Sequence, residues 1–282
     1  MAGSIQDRAA LNNGAEMPWL GLGVWQIDNP GELDGAVKAA VAAGYRSIDT
    51  ADIYGNEAGV GRAVRECGIP REELFITTKL WSADQAKGYD AVLRAFEASR
   101  KRMGLEYLDL YLIHWPIQSK FVEAWRAMVK LCRDGLVRAV GGSNFHIHHI
   151  EEAFDATGVM PAVDQVELHP WLTQKPLIEF CRAKGVRVEA YSPLANGHLR
   201  EIPGLDGIAA QYGKSPAQAV LRWNLQNGVV VIPKSVHRAR ILENAAIFDF
   251  ELTMQDMAAI DALNRDRRFF PDPDVGIRGN WE

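Results

Sequence analysis

Cysteine is scarce in this chain: Cys67, Cys132 and Cys181 are its three copies. Their number is odd, their spacing is uneven, and no Cys-x-x-Cys occurs. That excludes a disulfide framework and a thiolate metal site, and reads as reduced, largely buried thiols. Long hydrophobic runs are missing too: none approaches the roughly 20 apolar residues that span a bilayer. The first residues, Met1-Ala-Gly-Ser-Ile-Gln-Asp-Arg8, contain no apolar core, so no secretory leader is expected and a cytoplasmic location is the default. Charge of one sign is limited. A net charge of −5 gives no reason to expect nucleic acid or an anionic membrane as partner, and any anionic ligand must meet a local basic cluster. A full dinucleotide fingerprint is absent as well. Gly21-Leu-Gly23 and Gly141-Gly142 lack the Gly-x-Gly-x-x-Gly run with its following helix and an acidic residue about 20 positions on, so a Rossmann site is not supported.

What is present suits one large core. At 282 residues, with 48% hydrophobic residues, the chain matches a single α/β barrel domain over 1–282. Asn12-Asn-Gly14 signals a small hairpin ahead of the barrel. Eight apolar, β-rich segments follow: Leu20–Val24, Arg46–Asp49, Leu74–Lys79, Leu108–His114, Val137–Ser143, Ala162–Leu168, Arg187–Ser192 and Val229–Ile232. Several are near-continuous apolar runs, as parallel strands covered on both faces require. Helical patterns alternate with them over Asp34–Ala43, Tyr89–Met103, Phe121–Asp134, His148–Ala156, Pro176–Lys184 and Ala217–Gln226. Gly44, Gly104, Gly135, Gly158 and Gly185 stand at or near helix ends, and Ser215-Pro216 reads as an N-cap with proline in the first turn. Two extra helices, Arg238–Ala246 and Thr253–Leu263, have no strand after them. The tail from Arg265 to Glu282 holds Phe269, Phe270, Pro271, Pro273 and Trp281 without periodicity and is expected to be a loop. The architecture predicted is a (β/α)₈ TIM barrel with an N-terminal hairpin and two extra C-terminal helices.

Three successive strand ends carry ionisable groups. Arg46-Ser-Ile-Asp-Thr-Ala-Asp-Ile-Tyr54 brings Asp49 and Tyr54, Leu74-Phe-Ile-Thr-Thr-Lys79 brings Lys79, and Asp109-Leu-Tyr-Leu-Ile-His114 brings His114. A parallel barrel gathers those ends at one mouth, where barrel enzymes do their chemistry. Any one of these residues alone reads equally as a surface ion pair or a rim tyrosine. Together they supply what carbonyl reduction by hydride needs, a proton donor at the oxygen that becomes negative. Tyr54 suits that role if Lys79 draws its pKa down, with Asp49 holding Lys79 charged and His114 fixing the oxygen.

Ile232-Pro-Lys-Ser-Val-His-Arg-Ala-Arg240 follows the eighth strand and enters a helix. Lys234, Ser235, His237, Arg238 and Arg240 place donors near one helix start, where barrels commonly bind phosphate. A solvated basic turn is the plain alternative. Ser143-Asn144 and Gln165 offer the paired donors and acceptors that a carboxamide needs, and Tyr191 offers a stacking face for a flat ring. Each is otherwise a satisfied barrel residue. Trp25, Trp81 and Trp115 closely follow strand ends and read as an apolar substrate wall. His146, His148 and His149 have metal-like spacing at a helix start, but no carboxylate can be placed on their face, so no metal is expected.

The motifs Gly21-Leu-Gly-Val-Trp25, Ile48-Asp-Thr-Ala-Asp-Ile-Tyr-Gly-Asn-Glu57, Phe75-Ile-Thr-Thr-Lys-Leu-Trp81, Asp109-Leu-Tyr-Leu-Ile-His-Trp-Pro116, Gly142-Ser-Asn-Phe145, Asp164-Gln-Val-Glu-Leu-His-Pro170, Tyr191-Ser-Pro-Leu194 and Ile232-Pro-Lys-Ser235 resemble, in order, those of the aldo-keto reductases. The likeness runs from about Asn12 to Pro273 and is nearest to the microbial branch of 2,5-diketo-gluconate reductases, glyoxal and methylglyoxal reductases and prostaglandin F synthase. It implies a metal-free, NADPH-dependent oxidoreductase acting on a small-molecule carbonyl, here expected as a monomer. It implies Tyr54 as proton donor, Lys79 and Asp49 as its supporting pair and His114 as the substrate-orienting histidine. Trp25, Trp81, His114 and Trp115 then face the substrate. Ser143, Asn144 and Gln165 match carboxamide ligands, and Tyr191 the nicotinamide-stacking ring. Lys234, Ser235 and Arg240 match 2′-phosphate ligands, and Glu243 and Asn244 adenine ligands. The same likeness adds Gly23, Val24, Trp25, Ser192, Leu194 and Val236 to the cofactor set. His237 and the short tail depart from the family pattern. Gly141-Gly142 departs too, and should loosen the end of its strand. A nicotinamide-sensing barrel with little turnover is the alternative, and a metal-dependent hydrolase a third.

Overall fold

A computed structural model describes residues 2–275. Strands and helices are numbered in chain order. The hairpin forms first, β1 (Arg8–Ala10) antiparallel to β2 (Glu16–Pro18), with Gly14 in the left-handed region at φ 86°. Ala9, Leu11 and Met17 of the hairpin cluster with Phe75, Leu110, Ala139, Val163 and Val230 from inside the sheet. The hairpin is therefore an apolar plug for the N-terminal end of the barrel, leaving the other end for chemistry.

The barrel strands are β3 (Gly21–Gly23), β4 (Ser47–Asp49), β5 (Phe75–Leu80), β6 (Leu108–Ile113), β7 (Val137–Ser143), β8 (Val163–Glu167), β9 (Arg187–Tyr191) and β10 (Val230–Val231). They form one eight-stranded parallel sheet in sequence order. All eight coincide with expected segments to within a residue at each end, with β5 running one residue further, to Leu80. The sheet closes where Val231 N–H donates to the Trp19 carbonyl at 3.1 Å and Gly23 N–H to the Pro233 carbonyl at 3.3 Å. Glycine is required along that seam: a Cβ on Gly23 would stand 2.9 Å from the Ile232 carbonyl oxygen.

Outside the sheet run α1 (Pro30–Ala42), α2 (Glu57–Glu66), α3 (Ser82–Gln85), α4 (Tyr89–Met103), α5 (Phe121–Arg133), α6 (Ile147–Thr157), α7 (Lys175–Lys184), α8 (Leu205–Gln211), α9 (Pro216–Gln226), α10 (Arg238–Ala245) and α11 (Met254–Asp261). Ser215 caps α9 by accepting from the Gln218 N–H, as its Ser-Pro start implied. Helix α2 is not among the helical segments expected from the sequence, and Gly59 and Gly61 weaken its intrinsic helical tendency. Packing decides otherwise. A Cβ on Gly61 would sit 1.9 Å from the Met103 carbonyl oxygen, so glycine lets α2 lie directly on the end of α4. Helices α3 and α8 were also unforeseen. The two extra helices are α10 and α11. No helix among the described residues is long and apolar enough to cross a membrane.

From Arg265 to Val275 the chain has no helix or strand, as expected of the tail. Positions 276–282, Trp281 included, lie outside the described residues. The described part crosses the C-terminal mouth. Arg265 and Arg267 N–H groups both donate to the Trp171 carbonyl at 3.1 Å.

Candidate active site

Three strand ends of the first half-barrel, those of β4, β5 and β6, deliver the four ionisable groups. Lys79, near the end of β5, is 0% exposed. Its ammonium donates to Asp49 Oδ1 at 2.5 Å, to the Thr50 carbonyl at 2.9 Å and to Tyr54 Oη at 3.4 Å. Those three acceptors use all three of its protons. Tyr54 closes a short 3-10 turn, Asp52–Tyr54, and Gly55 leaves that turn at φ 68°. The turn is fastened from behind. Arg102 pairs with Asp52 and with the buried Glu57, which also accepts from Thr78 Oγ1 at 2.6 Å. His114, just past β6, stands edge-on to Tyr54 at 5.7 Å and to Trp81 at 5.3 Å between ring centroids.

Burial sets the electrostatics. It works against a charged Lys79, yet Asp49 first and Tyr54 next outweigh it, and Lys79 is raised above its ordinary value. Burial raises Asp49 while Lys79 and Gln165 favour its carboxylate. The Tyr54 phenol is raised by burial, although Lys79 pulls it down. The expected net lowering of that phenol is therefore not found. Tyr54 stays protonated at neutral pH, the state a proton donor needs. His114 lies well below the usual histidine range through burial and then Lys79, so its ring is neutral.

The second half-barrel holds amides and a ring. Asn144 adopts the left-handed conformation at φ 61°, tolerable for asparagine. Its Nδ2 donates to the His114 carbonyl at 2.9 Å and to Ser143 Oγ at 3.2 Å, and its Oδ1 accepts from Tyr191 Oη at 2.7 Å. Asn144 thereby ties three strand ends together, with one Oδ1 lone pair left over. Gln165 Nε2 donates to Asp49 Oδ2 at 2.8 Å and to Glu189 Oε2 at 2.7 Å. Both its N–H groups are used, so its carbonyl oxygen is the atom left to accept from a carboxamide. After β10, Lys234, His237, Arg238 and Arg240 are exposed around the start of α10, while Ser235 is buried and accepts from the His237 N–H at 3.1 Å. Among the described residues, Lys234, Arg238 and Arg240 have no carboxylate partner. Glu243 accepts from Ser215 Oγ, and Asn244 is buried.

A family model described as "Aldo/keto reductase family" matches residues 19–265. This chain belongs to the aldo/keto reductase family. It is 54% identical to a glyoxal reductase of Bacillus subtilis, over 97% of this chain and 99% of that one. It is 45% identical to the methylglyoxal reductase DkgA of Escherichia coli, over 94% and 96%. A solved structure of a Gox0644 variant in complex with NADPH superimposes with a TM-score of 0.90 at 44% identity, covering 96% of this chain and 98% of that chain. The chain is thus an oxidoreductase on the TIM-barrel fold that its sequence implied.

Within this aldo/keto reductase one expected departure reverses its meaning. Gly141-Gly142 does not loosen β7. A Cβ on Gly141 would lie 2.2 Å from the Val163 carbonyl oxygen, and one on Gly142 would lie 2.5 Å from the Phe145 ring. Both glycines permit close packing just before Ser143.

Three contributors escaped the sequence reading. Glu189, in β9, is 0% exposed, and its Oε1 has no partner. Burial first, then Asp49, pushes its carboxyl up to about 8. A glutamate inside the apolar run Val188-Glu-Ala-Tyr191 was the available signal. Glu167, at the end of β8, accepts the N–H groups of Phe269 at 2.7 Å and Phe270 at 3.2 Å, as well as a contact from His169 Nε2 at 3.0 Å. The tail is pinned there. Phe270 then sits edge-on to Tyr191 at 5.4 Å and to Trp25 at 5.5 Å. Only a three-dimensional structure could place Phe270, because nothing in the tail's composition says what it covers.

Trp25 is 37% exposed, Trp81 is half-buried and Trp115 is 9% exposed. Trp81 and Trp115 both flank His114, the first through its ring contact and the second in sequence.

Proposed function

We propose that this protein reduces small aldehydes and ketones, dicarbonyls of the glyoxal and methylglyoxal type foremost, with NADPH and with Tyr54 as proton donor. The observation that carries the reading is the dry cluster in which Lys79 touches both Asp49 and Tyr54 beside a neutral His114. The residues fit the cofactor. Gln165 keeps only its carbonyl free toward a carboxamide, and Lys234 and Arg240 stand, among the described residues, without a carboxylate partner where a 2′-phosphate needs fixed cations. When bound, NADPH supplies the hydride.

The chain's own groups do the remainder. His114, neutral, donates a hydrogen bond that positions the carbonyl oxygen near Tyr54 Oη. Tyr54 gives its proton to that oxygen as negative charge develops. Lys79, held charged by Asp49, offsets the phenolate left behind. Tyr191 and Phe270 limit water at the mouth, and Trp25, Trp81 and Trp115 wall the substrate.

The test is NADPH oxidation with methylglyoxal, phenylglyoxal and a diketo-sugar acid, repeated with NADH. Turnover with NADPH well above NADH is expected. NADPH binding without turnover would instead point to a redox-sensing barrel, which the reductase relatives disfavour. We read residues 1–282 as one domain working in the cytoplasm as a monomer that binds no nucleic acid. A two-chain mass in light scattering would overturn the monomer.

A further inference from the structure

The three histidines at the start of α6 meet, in the tertiary structure, a carboxylate that lies far from them in sequence. It comes from the tail. Asp274 Oδ2 lies 2.9 Å from His146 Nδ1, and Asp274 Oδ1 lies 3.2 Å from His148 Nε2 and 3.6 Å from His149 Nε2. One donor atom from each of the four residues lies within 4.8 Å of every other. An ion bound tetrahedrally at about 2.0–2.1 Å holds its ligands roughly 3.3 Å apart. The carboxylate–imidazole separations straddle that value.

Hydrogen bonding sorts the four. The His146 N–H donates to His149 Nδ1 at 3.0 Å, so the His149 Nε2 carries a proton and points it at Asp274. His149 therefore orients the carboxylate. His148 has no such commitment, and the Nδ1 contact of His146 is the one to Asp274 itself. Arg268 approaches His146 Nε2 at 3.4 Å, but Asp272 offers it an ion pair at 3.3 Å instead. His146 Nδ1 can then present a lone pair.

We propose that His146, His148 and Asp274 bind one divalent transition-metal ion, of the zinc, cobalt or nickel type, that staples the tail to α6. Imidazole and carboxylate donors suit such ions better than calcium or magnesium, which take oxygen ligands. The site is separate from Tyr54, and it takes no part in the reduction. Its ion fixes Asp274, four residues beyond the Phe270 that covers Tyr191 and Trp25. A cavity of about 440 Å³ lined by Pro116, Phe121, His148 and Pro273 lies beside it, on the side of the loop that follows His114. Loading is thus expected to stiffen one wall of the mouth without supplying a reacting group.

The experiment is calorimetric titration of the untagged, EDTA-treated full chain with zinc chloride, and absorption spectroscopy with cobalt chloride. Saturable binding of one ion per chain is expected, with visible cobalt bands. His148→Ala and Asp274→Asn should each weaken binding at least about tenfold, and binding should fade on acidification as protons compete for the imidazoles. Both positions stand apart from the reducing cluster, so retained NADPH turnover shows that the variants are folded. Absence of saturable binding overturns the proposal. So does binding that both variants retain, which would assign the ion to thiols or other surface groups.

Discussion

The two halves of the barrel mouth solve opposite problems. Around β4 to β6 the charges are buried and already paired: Lys79 has spent every proton on Asp49, Thr50 and Tyr54. After β10 the cations Lys234, Arg238 and Arg240 are exposed and, among the described residues, unpaired. The first region is organised by folding and should be insensitive to salt. The second, on the proposed reading, receives an anion, and its attraction should weaken as ionic strength rises. Preorganised charge serves a developing oxyanion because nothing need move during the reaction. An exposed basic rim suits the capture and release of the phosphate proposed above.

The sharpest way to break this contrast is Tyr54→Phe, which keeps the ring and removes the proton. Turnover should fall roughly 10²–10⁴-fold, while NADPH titrated by fluorescence quenching binds as before. A variant that retains near-normal turnover would remove Tyr54 from the mechanism. Next, Lys79→Met strands Asp49 in the interior. A loss of roughly 3–5 kcal/mol is expected in urea unfolding, since a broken buried pair leaves an uncompensated charge. An unchanged midpoint would mean that the pair does not hold this quarter together. On the exposed side, Arg240→Ala should leave stability alone and weaken NADPH by roughly 1.5–3 kcal/mol, the worth of a hydrogen bond to a charged group. NADH affinity should not move. Equal losses for both cofactors would show that Arg240 does not read the phosphate.

Two pH effects are smaller. His114 is neutral because burial and Lys79 hold it well below the usual histidine range. The turnover number should therefore be flat between about pH 6 and pH 8, with no histidine limb. A midpoint near the ordinary histidine value would contradict the neutral ring. Glu189 behaves in the opposite sense. Its folded pKa is raised to about 8, so the folded state keeps a proton that the unfolded chain gives up. The stability linked to that proton is complete below the ordinary glutamate value and is lost as pH rises through about 8. Glu189→Gln should change stability by no more than about 1 kcal/mol near pH 6, because the amide still accepts from Gln165. It should gain on the native protein in the alkaline range. Parallel pH profiles of unfolding for the two proteins would sink this assignment.

Much of the mouth was legible beforehand. Apolar runs ending in Asp49, Lys79 and His114 announce parallel strands that deliver polar ends to one rim, since a strand buried on both faces has no other place for them. The basic run after β10 was legible for the same reason of position. Helix α2 was not, because its glycines lower its intrinsic helix tendency while the contact of Gly61 with Met103 overrules it. Nor could spacing tell that Gly141 and Gly142 tighten β7, since only their neighbours' distances say so.

By itself the sequence determined the order of strands, the identity of the ionisable groups at their ends and the family. Those follow from local patterns, which periodicity and motif spacing carry. Only the tertiary structure decided which groups are charged, which amides are already committed, and what the tail covers. Glu189 holds a proton because it is buried beside Asp49, Glu167 pins the tail at Phe269 and Phe270, and Asp274 reaches His148 from across the chain. Each of these depends on desolvation or on contacts between residues remote in sequence, and a one-dimensional pattern contains neither.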